Sequence, residues 1–419
     1  MLYRIKISST KEARQITALK LIHDAGGLTR AELAARLDLN MTAVIRLVTD
    51  LIEDDLLHVD ADPTLDNLTL QGRGRPAEIL KLYPYAGYSL GLEFGRGQLT
   101  LTLTNTLGDL VAWTELDRPP VFEATADVVN ILIAELHKFT SAHNVAWTRV
   151  TALGLALHDV VDAEGNWTTQ HSTTPFQVMT YLYEHANLTH GVPIVVEDVS
   201  RSFAFAEHKC GAARARPDFI YLFLGKQGIG SGIFVNDTLL KSSSGVCGEL
   251  GHVNVVPDGK QCQCGSQGCL ETVATYQAVE TRFNDLVSAG VETTLDIPDI
   301  SFLAICQASA QGDKAAYLVL DELASHLSYA LAAAVNISGA PCVVVGGHLR
   351  HAGQGFLNIL ETALKRLVVG PLLKHIHISY AALPDYAGAW GASLMALEQS
   401  FARGSLIHIN AKTHELAVQ

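Results

Sequence analysis

Apolar residues at Ile16, Leu19 and Ile22 recur at helical spacing and stop at Gly26-Gly27, which predicts a first amphipathic helix over 11–25. Thr29 and Glu32 form a capping box, so a short helix is expected over 30–37. After the turn Asp38-Leu39-Asn40, Asn40 is suited to cap a third helix over 41–54. On that helix Val44, Leu47, Val48 and Leu51 fall at i, i+3, i+4 and i+7 and should face inward, leaving Met41, Thr42, Ile45, Arg46 and Thr49 outside. Residues 56–59 and 79–82 read as strands around a polar loop that ends in Gln71-Gly72-Arg73-Gly74-Arg75-Pro76. Three tightly joined helices followed by such a hairpin predict a winged helix-turn-helix over 1–82. Its third helix would offer Met41, Thr42, Ile45 and Arg46 to a major groove. The wing would offer Arg73 and Arg75 to a narrow minor groove. A small helical bundle with a solvated basic loop is the plainer alternative.

Beyond a short linker at 83–87 the pattern changes to strands. Residues 88–92, 99–105 and 110–113 suggest a meander, 128–139 a helix and 151–157 another strand. The series resumes with a strand over 193–197, a helix over 200–208 and strands over 219–224 and 232–235. Helices near 315–335 and 356–367 surround a strand over 341–345 that ends in Gly346-Gly347. This order predicts an α/β fold in two similar lobes with a ligand cleft between them. The lobes are expected at 83–195, completed by 386–419, and at 196–385.

Charge sharpens the DNA reading. The net charge of −13 is unhelpful for holding phosphates, but it is unevenly spread: residues 1–46 carry eight Lys or Arg against four Asp or Glu, and residues 83–419 carry nineteen against thirty-one. A basic tip on an acidic body binds DNA by one end. The opening residues carry no apolar signal segment, and the chain has no uncharged apolar run of about 18 residues. A protein without membrane insertion, in a reducing cytoplasm, is therefore expected.

Residues 251–271 read GHVNVVPDGKQCQCGSQGCLE, with one histidine and three of the seven cysteines in one loop. Zinc takes four thiolate and imidazole ligands in a tetrahedron at about 2.0–2.3 Å, and His252, Cys262, Cys264 and Cys269 offer such a set. Glycines at 259, 265 and 268 let the backbone turn tightly. Cys262 and Cys264 are too close in sequence to bridge comfortably, which disfavours a disulfide; reduced, metal-free cysteines are the other reading. The spacing does not fit a zinc finger that reads DNA. Glu249 and Glu271 flank the loop, and two carboxylates beside a metal-fixed imidazole suit a hydroxyl-rich ligand.

The metal loop, its approach SSSGVCGELGH over 242–252 and the winged helix with its GRGRP wing together resemble the ROK family of sugar kinases and repressors over nearly the whole chain, most closely the repressor branch. The resemblance implies an actin-like ATPase, ribonuclease H-like fold with sugar bound beside zinc. It matches Glu249, His252 and Glu271 to sugar-contacting positions, and Asp198 to the kinases' catalytic base. A base must take a proton from the attacking hydroxyl, and Asp198 ends an apolar strand; the same carboxylate could instead cap the following helix.

The phosphate motifs depart from the family. The DxGGT-like position reads Glu93-Phe94-Gly95-Arg96-Gly97, and the GTGxGxG-like loop over 225–232 carries Lys226 and Gln227. The GxPGPVD-like motif over 154–162 lacks its Pro-Gly, and Glu197 stands where many kinases have Asn. A sugar cleft without phosphoryl transfer is therefore expected, with Arg96 and Lys226 either holding an effector's phosphate or lying free on the surface. The implied partners are a pseudo-palindromic operator, a sugar or sugar-phosphate effector and a second copy of the chain, as a homodimer or dimer of dimers. Some repressors of this branch are drawn off DNA by a phosphotransferase-system protein. The apolar pattern over 389–409 would serve such docking, or core packing.

Overall fold

Three helices, α1 (Thr10–Ala25), α2 (Arg30–Leu37) and α3 (Met41–Glu53), alternate with the short strand β1 (Leu28–Thr29) and lead into the hairpin β2 (Leu57–Ala61) and β3 (Glu78–Leu82). The expected caps form. The Thr29 hydroxyl accepts from Glu32 N while Glu32 Oε2 accepts from Thr29 N at 2.8 Å, and Asn40 Oδ1 accepts from Ala43 N at 2.9 Å. β1 is too short to carry a sequence pattern, yet it completes a sheet of order β1-β3-β2, to which an Arg30–Glu78 ion pair is added. The wing tip with Arg73 and Arg75 lies outside the described residues, which are 10–61, 78–94, 98–117, 125–158, 191–226, 228–243, 245–296 and 300–407 of this computed structural model.

The chain then forms β4 (Tyr88–Phe94), β5 (Gln98–Asn105), β6 (Leu110–Asp117), α4 (Thr125–Ala142), β7 (Val150–Leu157), β8 (Ile194–Asp198) and α5 (Val199–Cys210). There follow β9 (Phe219–Leu224), β10 (Ile229–Val235), β11 (Thr238–Leu239), α6 (Tyr276–Ser288), α7 (Phe302–Ala310), α8 (Lys314–Ser338), β12 (Cys342–Val345), α9 (Gly353–Lys365), β13 (His377–Tyr380) and α10 (Ala387–Arg403). Two compact units result, the first built around residues up to Leu157 and from Ala392 on, the second around Glu197–Gly391. Each holds a five-stranded sheet of one plan. The orders are β6-β5-β4-β7-β8 and β11-β10-β9-β12-β13, so both run third, second, first, fourth, fifth. In both, an antiparallel meander supplies the first three strands and a parallel crossover the fourth. Helices α6 and α7 are additions to the sequence reading, and α9 starts at Gly353, three residues ahead of its expected start.

In the first unit Leu19, Ile22, Leu33, Val44, Val48, Leu51 and Leu80 share a core with Leu397, Phe401 and Leu406, and His23 stacks on Phe401 with centroids 4.4 Å apart. Full burial of a large apolar side chain stabilises by about 1.5–3 kcal/mol, so the apolar pattern near the C-terminus is core packing here. In the second unit α8 is the central helix, capped by Asp313, whose Oδ1 accepts from Ala316 N at 2.9 Å, and closed by Gly339. Among the described residues α8 is the one helix long and apolar enough to cross a membrane, and most of it is buried within the fold.

Gly391 stands inside α10, where glycine is unfavourable by roughly 1 kcal/mol relative to alanine. Close approach explains it: a Cβ there would lie 1.8 Å from Ser202 O on α5. Gly154 in β7 answers the same constraint, its Cβ falling 2.0 Å from Ala392 O.

Candidate functional site

Asp198 is the last residue of β8 and the N-cap of α5. Its Oδ1 accepts from Ser200 N at 2.8 Å and Arg201 N at 3.1 Å, so the capping role open in the sequence is filled. Burial raises its pKa from the ordinary aspartate value. Glu249 precedes the short turn Leu250–His252. Burial, and then the charge of Asp198, push Glu249 up to about 7 against the opposing pull of Arg201, with Glu271 adding to the rise. Glu271 opens the helical turn Glu271–Ala274; its Oε1 accepts from Ile229 N at 2.6 Å and its Oε2 lies 3.9 Å from His252 Nδ1. The structure thus brings Asp198, Glu249, Glu271 and His252 into one polar cluster in the second unit.

Two cations absent from the sequence reading, Arg201 and Lys241, complete it by meeting on Glu197. The carboxylate of Glu197, a residue 5% exposed overall, lies 2.6 Å from Arg201 Nε and 2.5 Å from Lys241 Nζ. Burial alone would raise its pKa, and the two cations overturn that and hold it below the usual carboxylate range. Arg201 lies four residues after Glu197 but on the next element, α5, so no helical periodicity joins the two in the sequence. For Lys241 a 44-residue separation leaves no local signal either.

The cysteine loop gathers a ring nitrogen of His252 and the sulfurs of Cys262, Cys264 and Cys269 so that all four ligand atoms lie within 4.8 Å of one another. Cys262 Sγ is 3.7 Å from His252 Nδ1, and Cys264 Sγ is 3.7 Å from Cys269 Sγ. A tetrahedron with Zn–S bonds of about 2.3 Å has edges of about 3.8 Å. The residues therefore fit a tetrahedral metal. Backbone bonds set this geometry: Cys262 N donates to Ser266 O at 2.8 Å and Gly268 N to Lys260 O at 2.9 Å. At Gly268, φ is +75° and a Cβ would lie 2.0 Å from Val256 O, so glycine is required on both counts. Gly259 contributes through space alone, its Cβ meeting Val256 O at 2.8 Å. Cys262 and Cys269 are buried and Cys264 is exposed. The Ser266 N–H draws the Cys264 thiol down to about 7, while burial pushes that of Cys269 up to about 12.

On α3, Met41 is 44% and Ile45 49% exposed, and Thr42 and Arg46 are exposed with them. The opposite face, Val44, Leu47, Val48 and Leu51, is buried as the periodicity predicts. Of the phosphate-loop residues, Glu93 is buried and Lys226 exposed, while Arg96 and Gln227 lie outside the described residues.

A winged helix ahead of two sheets of one plan, with a Cys3His loop beside a carboxylate cluster, defines a sugar-kinase-like fold joined to a DNA-binding head, and the chain belongs to the ROK family, whose model matches residues 89–399. The mixed α/β, actin-like architecture expected from the sequence is the one observed. Over 387 residues the chain is 26% identical to the DNA-binding transcriptional dual regulator NagC of Escherichia coli (strain K12), covering 92% of each chain. It is 24% identical over 408 residues to the DNA-binding transcriptional repressor Mlc of the same organism, covering 96% of each. Among solved structures, a ROK family transcriptional regulator described as a homolog of E. coli Mlc superposes with a TM-score of 0.79 at 26% identity, over 96% of this chain and 100% of that one. A ROK family glucokinase from Streptomyces griseus, solved with glucose and AMPPNP, gives 0.60 at 26% identity over 74% and 99%.

Proposed function

We propose that the protein is a sequence-specific transcriptional repressor of sugar uptake or catabolism genes, governed by a sugar bound beside a zinc ion. The observation that carries this reading is the exposed polar and apolar face of α3, Met41, Thr42, Ile45 and Arg46, on a winged helix within a chain that matches repressors over nearly its full length. Those four side chains would meet base edges and phosphates in the major groove, and Arg73 and Arg75 the minor groove. A second copy of the chain would place a second α3 on the other half of a pseudo-palindromic operator.

His252, Cys262, Cys264 and Cys269 would hold the zinc. A bound metal would fix the imidazole and stiffen the loop, and the ligand's hydroxyls would be taken by Asp198, Glu249 and Glu271, which are acceptors when ionised. Catalysis is not part of the proposal, because the sequence carries Lys226 and Gln227 where the family's phosphate loop has a threonine and a glycine. Purified protein titrated onto promoter fragments of sugar genes, with and without a panel of hexoses and hexose phosphates, tests the reading. A chain that shifts no fragment, or whose DNA complex no sugar alters, would sink it.

A second reading, an active sugar kinase carrying a DNA-binding head, is favoured by the glucokinase match and by Asp198 at a strand end. Coupled ATP-consumption over the same hexoses decides it: turnover that Asp198→Asn abolishes establishes a kinase.

A further inference from the structure

Glu197 stands beside the pocket, but its carboxylate is taken up within the protein. Oε1 accepts from Arg201 Nε at 2.6 Å and from Asp198 N at 3.1 Å, and Oε2 from Lys241 Nζ at 2.5 Å. The same guanidinium donates through Nη1 to Gly245 O at 3.0 Å and to Cys247 O at 3.4 Å. One residue on, Gly248 O accepts from the Ser231 hydroxyl of β10 at 2.5 Å. Three of the four carbonyls over 245–248 are thus held by side chains anchored on other elements, and the next residue is Glu249. The segment has no regular secondary structure of its own, and Gly245 and Gly248 both have positive φ, +74° and +78°.

The arrangement is costly for a fold that wants only stability. Arg201 and Glu197 are 5% and 6% exposed at their side chains, and apolar groups of similar volume often pack as well as a buried ion pair. No apolar side chain, however, can donate to a carboxylate and to two carbonyls at once, as the five N–H groups of an arginine can. We propose that Lys241, Glu197 and Arg201 form a latch that holds residues 245–249 and thereby sets Glu249 in the ligand pocket, with Arg201 as the positioning residue. The consequence for ligand binding rests on the sugar-pocket reading above; the latch itself does not.

Hydrogen exchange on the full-length, sugar-free protein tests it. In Arg201→Met and in Lys241→Met, amides over 245–250 should exchange at least about tenfold faster, while those over 255–270 keep their rates. Lys241→Arg retains the charge and should restore the wild-type pattern, and Arg201→Lys, which cannot reach both Glu197 and the carbonyls, should fall between. Unchanged exchange over 245–250 in both methionine variants would overturn the latch. So would faster exchange spread evenly over the second unit in all four variants, since that marks general destabilisation. Lys241, with its side chain 54% exposed, keeps the test readable should Arg201→Met fail to fold. In a parallel thermal-shift series, sugars that bind the wild type should bind Arg201→Met at least about tenfold more weakly. A wild type that binds no sugar counts against the pocket alone, and the exchange rates still decide the latch.

Discussion

Replacing Gly391 by alanine puts the seat of α10 under a calculable load. The new Cβ would lie 1.8 Å from Ser202 O and 2.6 Å from its carbonyl carbon, and both neighbours are backbone, so no rotamer change relieves them. Relief to 3.0 Å, the closest approach real Cβ atoms tolerate, requires α10 and α5 to part there by about 1.2 Å. Overpacking relieved by backbone shifts costs typically 1–3 kcal/mol and occasionally more, and the rigid contact places this one at the upper end, about 3 kcal/mol. Alanine's better helix propensity returns only about 1 kcal/mol of that, leaving a net loss of about 2 kcal/mol or more. Ser202 lies one turn from Asp198, and its hydroxyl donates to Asp198 O at 3.0 Å, so the displacement should reach the pocket as well. A displacement there should also weaken sugar binding. Urea unfolding followed by tryptophan fluorescence, with Trp390 next to the substitution, measures the first effect and sugar titration the second. Gly355→Ala on α9 is the control, because its Cβ meets nothing within 4 Å. If Gly391→Ala unfolds at the wild-type urea concentration, the close contact does not explain the glycine.

Four further outcomes are expected. Cys264→Ser should lose one equivalent of zinc by elemental analysis, and wild-type metal affinity should rise with pH, because each thiol gives up a proton on binding. Arg46→Ala should weaken operator binding, and Arg73→Ala with Arg75→Ala should also flatten its logarithmic salt dependence by about 0.9 for each phosphate no longer neutralised; an unaltered salt slope counts against the wing assignment. Asn40→Ala removes the bond to Ala43 N and should cost about 1 kcal/mol in denaturant unfolding. Glu197 has a folded-state pKa below its ordinary 4.5, so its contribution is present above that value and is lost as pH falls through the lower one. The stability of Glu197→Gln should therefore vary less with pH in acid than that of the wild type.

The elements with strong local signals were legible. The capping box at Thr29 and Glu32, the Asn40 cap, the i, i+3, i+4, i+7 face of α3 and the dense Cys3His loop are each written within a few residues, and the structure has the caps, the buried face and the clustered histidine and cysteines at those positions. β1 and α6 escaped notice for opposite reasons. Two residues are too few to show a period, and α6 buries only Val279 and Phe283, too sparse a stripe to stand out. The polar cluster was legible as a list of carboxylates but not as a network, because Lys241 and Ser231 reach Glu197 and Gly248 from distant sequence. The tertiary fold alone brings them together.

Asp198 carries one further implication. Its carboxylate begins α5 whether or not any proton is ever moved, since two backbone amides depend on it. A lineage that ceased to transfer phosphate would still be held to an oxygen-bearing residue at this point by the mechanics of the helix. The survival of an aspartate there is accordingly no record of catalysis. Asparagine caps a helix about as well as aspartate but cannot serve as a base, so Asp198→Asn separates the architectural inheritance from the chemical one.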